Sequence, residues 1–158
     1  MVIVVDYNPP AMPPDHERTL AIDLGARRIG IAFSDSGIVA TPHSVMRNEG
    51  DIVAKIAHLG EELGAEAFVV GLPRRMHASA PAKAAEQKYH DFAESLRQRT
   101  CKPVVLWDES LSTVEASEKL RAGGRSRREA QKDIDMHAAA VILQSYLDDR
   151  GTANGRSS

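Results

Sequence analysis

The chain has 158 residues, 42% of them hydrophobic, which is enough for a single domain with its own core. A charged fraction of 27% and a formal net charge of -2 exclude an acidic disordered tail and an overall basic, histone-like binder. The single cysteine, Cys101, excludes an internal disulfide, and none of the six histidines has the close spacing typical of zinc sites.

The two ends of the chain differ in composition from its middle. The apolar opening, residues 2–5, is too short for a signal peptide or a membrane span, and a proline-rich stretch follows it. The last eight residues are small and polar. We therefore expect a cytoplasmic protein without a membrane partner, with a flexible extension over residues 1–17, one domain over residues 18–150 and a disordered tail over residues 151–158.

The hydrophobic pattern of the middle predicts a single α/β domain. Residues 20–24 and 29–33 have the two-residue period of strands and are joined by a short turn, and a third strand follows over residues 38–45. Two helices with apolar stripes, ending near Leu63 and Leu96, then alternate with buried strands over residues 67–72 and 103–107. Helices over residues 112–120 and 133–149 complete the pattern.

Three carboxylates occupy positions where a charge needs an explanation. Asp23 lies inside an apolar strand, Glu109 follows the carboxyl end of a buried strand, and Asp135 falls in the first turn of the last predicted helix. Each has a simple structural alternative. Asp23 could pair with Arg27 or Arg28, Glu109 could be a solvated loop residue, and Asp135 could favour the helix dipole.

Taken together, the three acids predict a metal site, because the topology of an α/β sheet can bring them to one edge. Carboxylate oxygens are the ligands of hard divalent cations, so Mg²⁺ or Mn²⁺ fits best. Two such ions about 4 Å apart can activate a water molecule and stabilise the leaving oxygen of a phosphodiester. The hypothesis is a phosphodiester hydrolase that uses Asp23, Glu109 and Asp135.

Local basic clusters fit a polyanionic substrate although the whole chain is slightly acidic. Phosphate contacts from such clusters give affinity with little sequence information, and the scarcity of aromatic residues argues against base stacking on single strands. The simple alternative is a solvated surface. The candidate nucleic-acid-binding residues are Arg27, Arg28, Arg74, Arg75, Arg125, Arg127, Arg128 and Lys132.

Four motifs resemble the YqgF family, also called RuvX, of the ribonuclease H-like superfamily. They cover about residues 20–147. The motifs are Asp23-Leu24-Gly25 with Arg28 and Gly30, then Val70-Gly71-Leu72-Pro73, then Asp108-Glu109-Ser110-Leu111-Ser112-Thr113, and finally Asp135 with Ala138, Ala139 and Ile142-Leu143-Gln144.

The resemblance implies a fold, an activity and a site. It implies a five-stranded mixed sheet of order 3-2-1-4-5 flanked by helices, and a metal-dependent nuclease whose triad falls on Asp23, Glu109 and Asp135. Maturation of the 5′ end of pre-16S rRNA is the first implied function. Resolution of Holliday junctions in branched DNA is the alternative, and it would favour a homodimer with two related active sites.

Two departures from the family pattern stand out. Ser110 replaces the usual arginine after the Asp-Glu pair, which removes a group that could orient Glu109 or contact phosphate. Met76-His77-Ala78 replaces the Asp-Gly that often follows the Gly-Leu-Pro motif, so the loop geometry is expected to differ.

Two rival functions are consistent with parts of the sequence. Sugar kinases and actin-like ATPases share the Asp-x-Gly hairpin, but they need two copies of the fold, and 158 residues hold one. A non-catalytic RNA-binding ribosome-assembly factor would need only the basic surface. Replacement of the carboxylates distinguishes this second rival from a nuclease.

Overall fold

The computed structural model describes residues 2–4, 17–73, 80–109 and 127–155, with side chains in three of these stretches, 17–73, 85–108 and 131–150. The elements in chain order are β1 (Val2–Val4), β2 (Thr19–Leu24), β3 (Arg28–Ser34), β4 (Thr41–Arg47), α1 (Ile52–Leu63), β5 (Ala67–Pro73), α2 (Ala80–Thr100), β6 (Val104–Glu109) and α3 (Arg127–Gly155).

The strands form one six-stranded mixed sheet of order β1-β6-β5-β2-β3-β4. Strands β2, β3 and β4 are an antiparallel meander, and β5 and β6 run parallel to β2. Without β1, this is the predicted order 3-2-1-4-5, so the predicted sheet is confirmed. The helix predicted over residues 112–120 lies outside the described residues.

One strand at the start of the chain was not predicted, and the last helix is longer than predicted. Residues 2–4 pair antiparallel with β6, where Val2 lies opposite Trp107 and Val4 opposite Val105. At the other end, α3 begins six residues before the predicted start and continues through Gly155, into the segment expected to be a tail.

The apolar side chains of the sheet divide into two cores according to strand alternation. One face carries Leu20, Ile22, Ile31 and their neighbours and packs against α1 and α2. The other face carries Ala21 and Ala32, whose small side chains let α3 approach the sheet closely. Because both faces are covered, β5 is buried along residues 67–72, as the continuous apolar run predicts.

The first helix shows how local sequence sets an element boundary. The Asp51 side chain accepts a hydrogen bond from the Ala54 amide at 3.1 Å and caps the amino end of α1. Gly64 ends the helix in the left-handed conformation at φ 68°, the predicted stop. In the part of the chain that is described, none of the helices is both long and apolar enough to cross a membrane.

Candidate active site

The turn between β2 and β3 is built around a glycine. The Gly25 amide donates to the Arg28 carbonyl at 3.0 Å, and a β-carbon on residue 25 would lie 2.4 Å from that oxygen. Asn48, just after β4, holds the same turn, because its side-chain amide donates to the Gly25 carbonyl at 2.8 Å and its backbone amide to the Arg27 carbonyl at 2.9 Å. This tight turn fixes the position of Arg28 next to the end of β2.

Asp23 lies near the carboxyl end of β2, on the face of the sheet that α3 covers. It has the same strand parity as Ala21, whose side chain packs in the α3 core, and it is half-buried. Its register partner in β3 is Gly30. The space above Gly30 is therefore next to the Asp23 side chain.

Asp135 fills that space. A β-carbon on Gly30 would come within 2.0 Å of the Asp135 carbonyl oxygen, so α3 rests directly on the backbone of β3 at this point. Residues directly opposite in an antiparallel pair have α-carbons about 4.5–5.5 Å apart. The contact therefore brings the backbone of Asp135 next to the strand position that pairs with Asp23.

The helix-dipole explanation of Asp135 is wrong. Because α3 begins at Arg127, Asp135 is in its third turn rather than its first. Stabilisation by the helix dipole falls off within the first turn. The amino-terminal extension of α3 was not visible in the apolar periodicity, which starts only with the residues that pack on the sheet.

Two polar side chains hold the Asp135 carboxylate. Arg28 Nε lies 3.1 Å from Oδ2, and Gln131 Nε2 donates to Oδ1 at 3.1 Å. The Asp135 side chain is 19% exposed and that of Arg28 is 40% exposed. Oδ2 is buried and forms an ion pair with Arg28, but no group in the described residues is oriented to donate a hydrogen bond to it. This oxygen can therefore still accept a ligand. Arg28, one of the two arginines considered as partners of Asp23, is paired with Asp135.

The third predicted carboxylate ends β6. The backbone of Glu109 pairs with Pro73 at the carboxyl ends of the parallel strands, the same end of the sheet as Asp23. Position 109 has the strand parity of Trp107, which faces α3. Its side chain lies outside the described residues. The neighbouring Asp108 has the opposite parity, and its Oδ1 is buried without a hydrogen-bond partner in the described part of the chain.

The donor set fits a hard divalent cation. Asp23 and Asp135 supply carboxylates on one face of the sheet, and position 109 belongs to the same face and the same end. The described side chains hold no cluster of three metal-ligating residues, and that of Glu109 is not among them. All three would contribute oxygen ligands, the type that Mg²⁺ and Mn²⁺ prefer.

A basic cleft lies beside Asp135, between the ends of β3 and β4 and the start of α3. Its volume is about 710 Å³. Three of the predicted nucleic-acid-binding residues line it, Arg27, Arg28 and Lys132. Arg47 also lines it and was not predicted, because its place becomes evident only when the register puts it opposite Arg28.

The other predicted basic residues are not placed in the cleft. Arg74, Arg75 and Arg125 lie outside the described residues, as do Ser110 and the loop with Met76-His77-Ala78. Arg127 and Arg128 begin α3, but their side chains are outside the described part of the chain.

Comparison with known proteins gives consistent matches. Residues 17–149 match the family RuvX, described as Holliday junction resolvase. A Geobacillus kaustophilus protein named as a pre-16S rRNA nuclease is 40% identical over 138 residues, covering 84% of this chain and 99% of that protein. An Anaeromyxobacter protein with the same name is 46% identical over 138 residues, covering 84% and 98%.

Among solved structures, T. thermophilus RuvC in complex with a Holliday junction substrate has a TM-score of 0.54 at 14% identity. The match covers 85% of this chain and 96% of that one. At this identity the likeness shows the fold alone, which is ribonuclease H-like as predicted.

Proposed function

The chain belongs to the RuvX family, and on this basis we propose that it is a metal-dependent nuclease that hydrolyses phosphodiester bonds in the cytoplasm. The observation that carries the proposal is the backbone contact between Asp135 and Gly30, the residue that pairs with Asp23. The ion pair with Arg28 gives Asp135 a structural partner, but it does not explain why this acid lies beside the strand position that pairs with Asp23. Two acids at adjoining backbone positions on one face of the sheet are suited to sharing a cation.

In the proposed mechanism, Asp23, Glu109 and Asp135 would hold Mg²⁺ or Mn²⁺, with two ions as the proposed number. When bound, the cations supply an activated water and stabilise the leaving oxygen. Arg28 and Gln131 fix the Asp135 carboxylate before the metal arrives, which reduces the reorganisation that binding requires. Arg28 lines the basic cleft as well, so it can also approach a phosphate next to the cleavage point.

The first proposed substrate is the 5′ region of pre-16S rRNA, as the names of the curated relatives suggest. The second is a four-way DNA junction, which the description of the family favours. Junction cleavage would call for a homodimer, because two strands must be cut symmetrically. Both substrates use the same carboxylates.

The decisive experiment compares wild type with Asp23→Asn on a labelled pre-16S rRNA fragment and on a labelled four-way DNA junction. We expect cleavage by wild type with Mg²⁺ or Mn²⁺, none with EDTA, and a loss of at least about a hundredfold in the variant, because the amide keeps the shape but removes a charge that binds metal. Binding, measured by fluorescence anisotropy in EDTA, should be unchanged or tighter in the variant because it carries one negative charge fewer.

The outcomes separate the candidate functions. Cleavage of only one substrate selects between rRNA processing and junction resolution. Tight RNA binding without cleavage at any metal concentration would reject the nuclease function and favour a non-catalytic RNA-binding factor. Equal cleavage by wild type and Asp23→Asn would reject the proposed site.

A further inference from the structure

The β3–β4 pair carries two arginines directly opposite each other. Arg28 and Arg47 are register partners, so their side chains leave the sheet on the same face. Like charges in this arrangement destabilise a sheet unless an anion lies between or beside them. The charge of Arg28 is met by Asp135.

Within the described residues, Arg47 has only a weak partner. Its Nη1 lies 3.8 Å from Glu49 Oε1, and the two side chains are 73% and 69% exposed. An exposed ion pair at this distance contributes little to stability. The Arg47 guanidinium is therefore available to an external anion at small cost.

The basic cleft gathers further positive charge around this pair. Arg27 and Lys132, both exposed, line it together with Arg28 and Arg47, whereas Glu49 is the one acid among the described lining residues. Its remaining lining residues are Ala26, Val45, Met46 and Asn48. A cleft with four cations and one carboxylate attracts anions.

The cleft offers phosphate contacts but no surface for base stacking. None of the lining residues that the structure describes is aromatic. The aromatic residues whose side chains the structure describes are buried or half-buried in the two cores: Phe33, Phe68, Tyr89, Phe92, Trp107 and Tyr146. Proteins that bind single strands generally stack the bases on aromatic side chains. A paired segment exposes its phosphates and hides its bases, so it fits this cleft better.

We propose that the cleft is a backbone-phosphate site for a double-helical segment of nucleic acid, with Arg47 and Lys132 as direct contacts. Arg28 lies between this site and Asp135. If the protein is the proposed nuclease, the bound duplex would therefore flank the scissile bond. The site reads backbone and not sequence.

The test measures binding in EDTA, where it does not depend on cleavage. Arg47→Gln, Lys132→Gln and the double variant are titrated with a short labelled RNA duplex, with a DNA duplex, and with the unpaired RNA strand. Arg99→Gln with Lys102→Gln is the matched control, because this pair removes the same charge from a separate cleft near the amino end of β5. Thermal unfolding shows that each variant is folded.

We expect the double variant to lose about tenfold or more in duplex affinity at moderate salt, and the control to lose much less. Each substitution should reduce the slope of log affinity against log salt by about 0.9, the value for one phosphate contact to duplex DNA. If the double variant loses duplex binding and the wild type has no detectable nuclease activity, the proposed binding site stands and the proposed nuclease function is rejected.

Three results would overturn the proposal. If the salt slope of the double variant equals that of the wild type, the cleft is not part of the binding surface. This conclusion holds even if the protein cleaves nucleic acid. An equal loss in the control pair reduces the effect to overall charge. Single-strand binding that is as tight as duplex binding and equally sensitive to the substitutions rejects the double-helical ligand.

Discussion

The Asp135 carbonyl oxygen lies where a side chain on Gly30 would have to begin, 2.0 Å from the position of a β-carbon there. Since Gly30 is the register partner of Asp23, the absence of one side chain sets how closely two acids on separate elements approach. Gly30 is thus needed for the close approach of α3 to the sheet and not for a turn.

Gly30→Ala should damage both stability and cleavage. The new methyl group must push α3 off the sheet, and overpacking of this kind costs about 1–3 kcal/mol or more. The same displacement carries Asp135 away from Asp23, so metal-dependent cleavage should fall by at least about tenfold at a temperature where the variant is folded. Urea unfolding and single-turnover cleavage are the measurements.

Gly60→Ala is the matched control for that variant. Its β-carbon would come within 2.6 Å of the Phe68 ring, in the core on the opposite face of the sheet. We expect a loss of stability with cleavage nearly unchanged below the unfolding temperature. If both variants lose activity in proportion to stability, Gly30 has no special role in placing the carboxylate.

Neighbouring acids at the end of β6 should behave differently. Position 109 shares the face of Asp23, whereas Asp108 has the parity of Val104 and Leu106, whose side chains pack against α1 and α2. Glu109→Gln should therefore abolish metal-dependent cleavage, and Asp108→Asn should keep most of it. Cleavage rates at saturating Mn²⁺ give the comparison. Comparable losses in both variants would contradict the assignment by strand parity.

A buried ion pair fastens α3 to the start of β2. Arg150 Nη1 lies 2.5 Å from Glu17 Oε2, and the Glu17 side chain is only 6% exposed. Burial acts to lower the pKa of Arg150, but Tyr146 and Glu17 outweigh it, so the pKa is raised above its ordinary value. Since a raised arginine pKa lies above any working pH, Arg150 stays charged and the contribution of this ion pair to stability is present at neutral pH.

Arg150→Met should destabilise the protein by about 3–5 kcal/mol, because it leaves the Glu17 carboxylate buried without its cation. The double variant Glu17→Gln with Arg150→Met should recover part of the loss, since the uncompensated charge is gone. Urea denaturation at pH 7 measures both. A double variant less stable than Arg150→Met would show that the charge is not the cause.

Gln144 ties the β3–β4 loop to α3. Its Oε1 accepts from the Ala40 amide and its Nε2 donates to the Ile38 carbonyl, both at 2.9 Å. Gln144→Ala should lower stability by about 1–2 kcal/mol and speed hydrogen exchange at the Ala40 amide. In the control, Gln98→Ala, the lost bond is to Glu94 within the same helix, so exchange at Ala40 should not change.

Much of the sheet was predictable because its signals are local. The alternation in β2 and β3, the stripe and glycine stop of α1, and the buried run of β5 each lie within one short segment. Strand β1 was not predicted, since three apolar residues carry no period and their partner β6 is about a hundred residues away.

Part of the candidate site could be proposed from the sequence. The unusual positions of Asp23 and Asp135 pointed to two candidate acids, and Arg28 stood out as a basic residue in the same hairpin. The pairing of Arg28 with Asp135 and the place of Arg47 depend on register and on the height at which α3 crosses β3. Those quantities are set by packing between distant segments, which a linear pattern does not contain.

The antiparallel direction of β1 has a practical consequence for handling the protein. Val2 lies opposite Trp107, so a polypeptide joined ahead of Val2 would leave the sheet near Glu109. The carboxyl-terminal part of α3, where Arg150 contacts Glu17 just before β2, lies at the opposite end of the strands. Affinity tags and fluorophores for cleavage assays therefore belong after α3, because a leading tag would crowd incoming substrate.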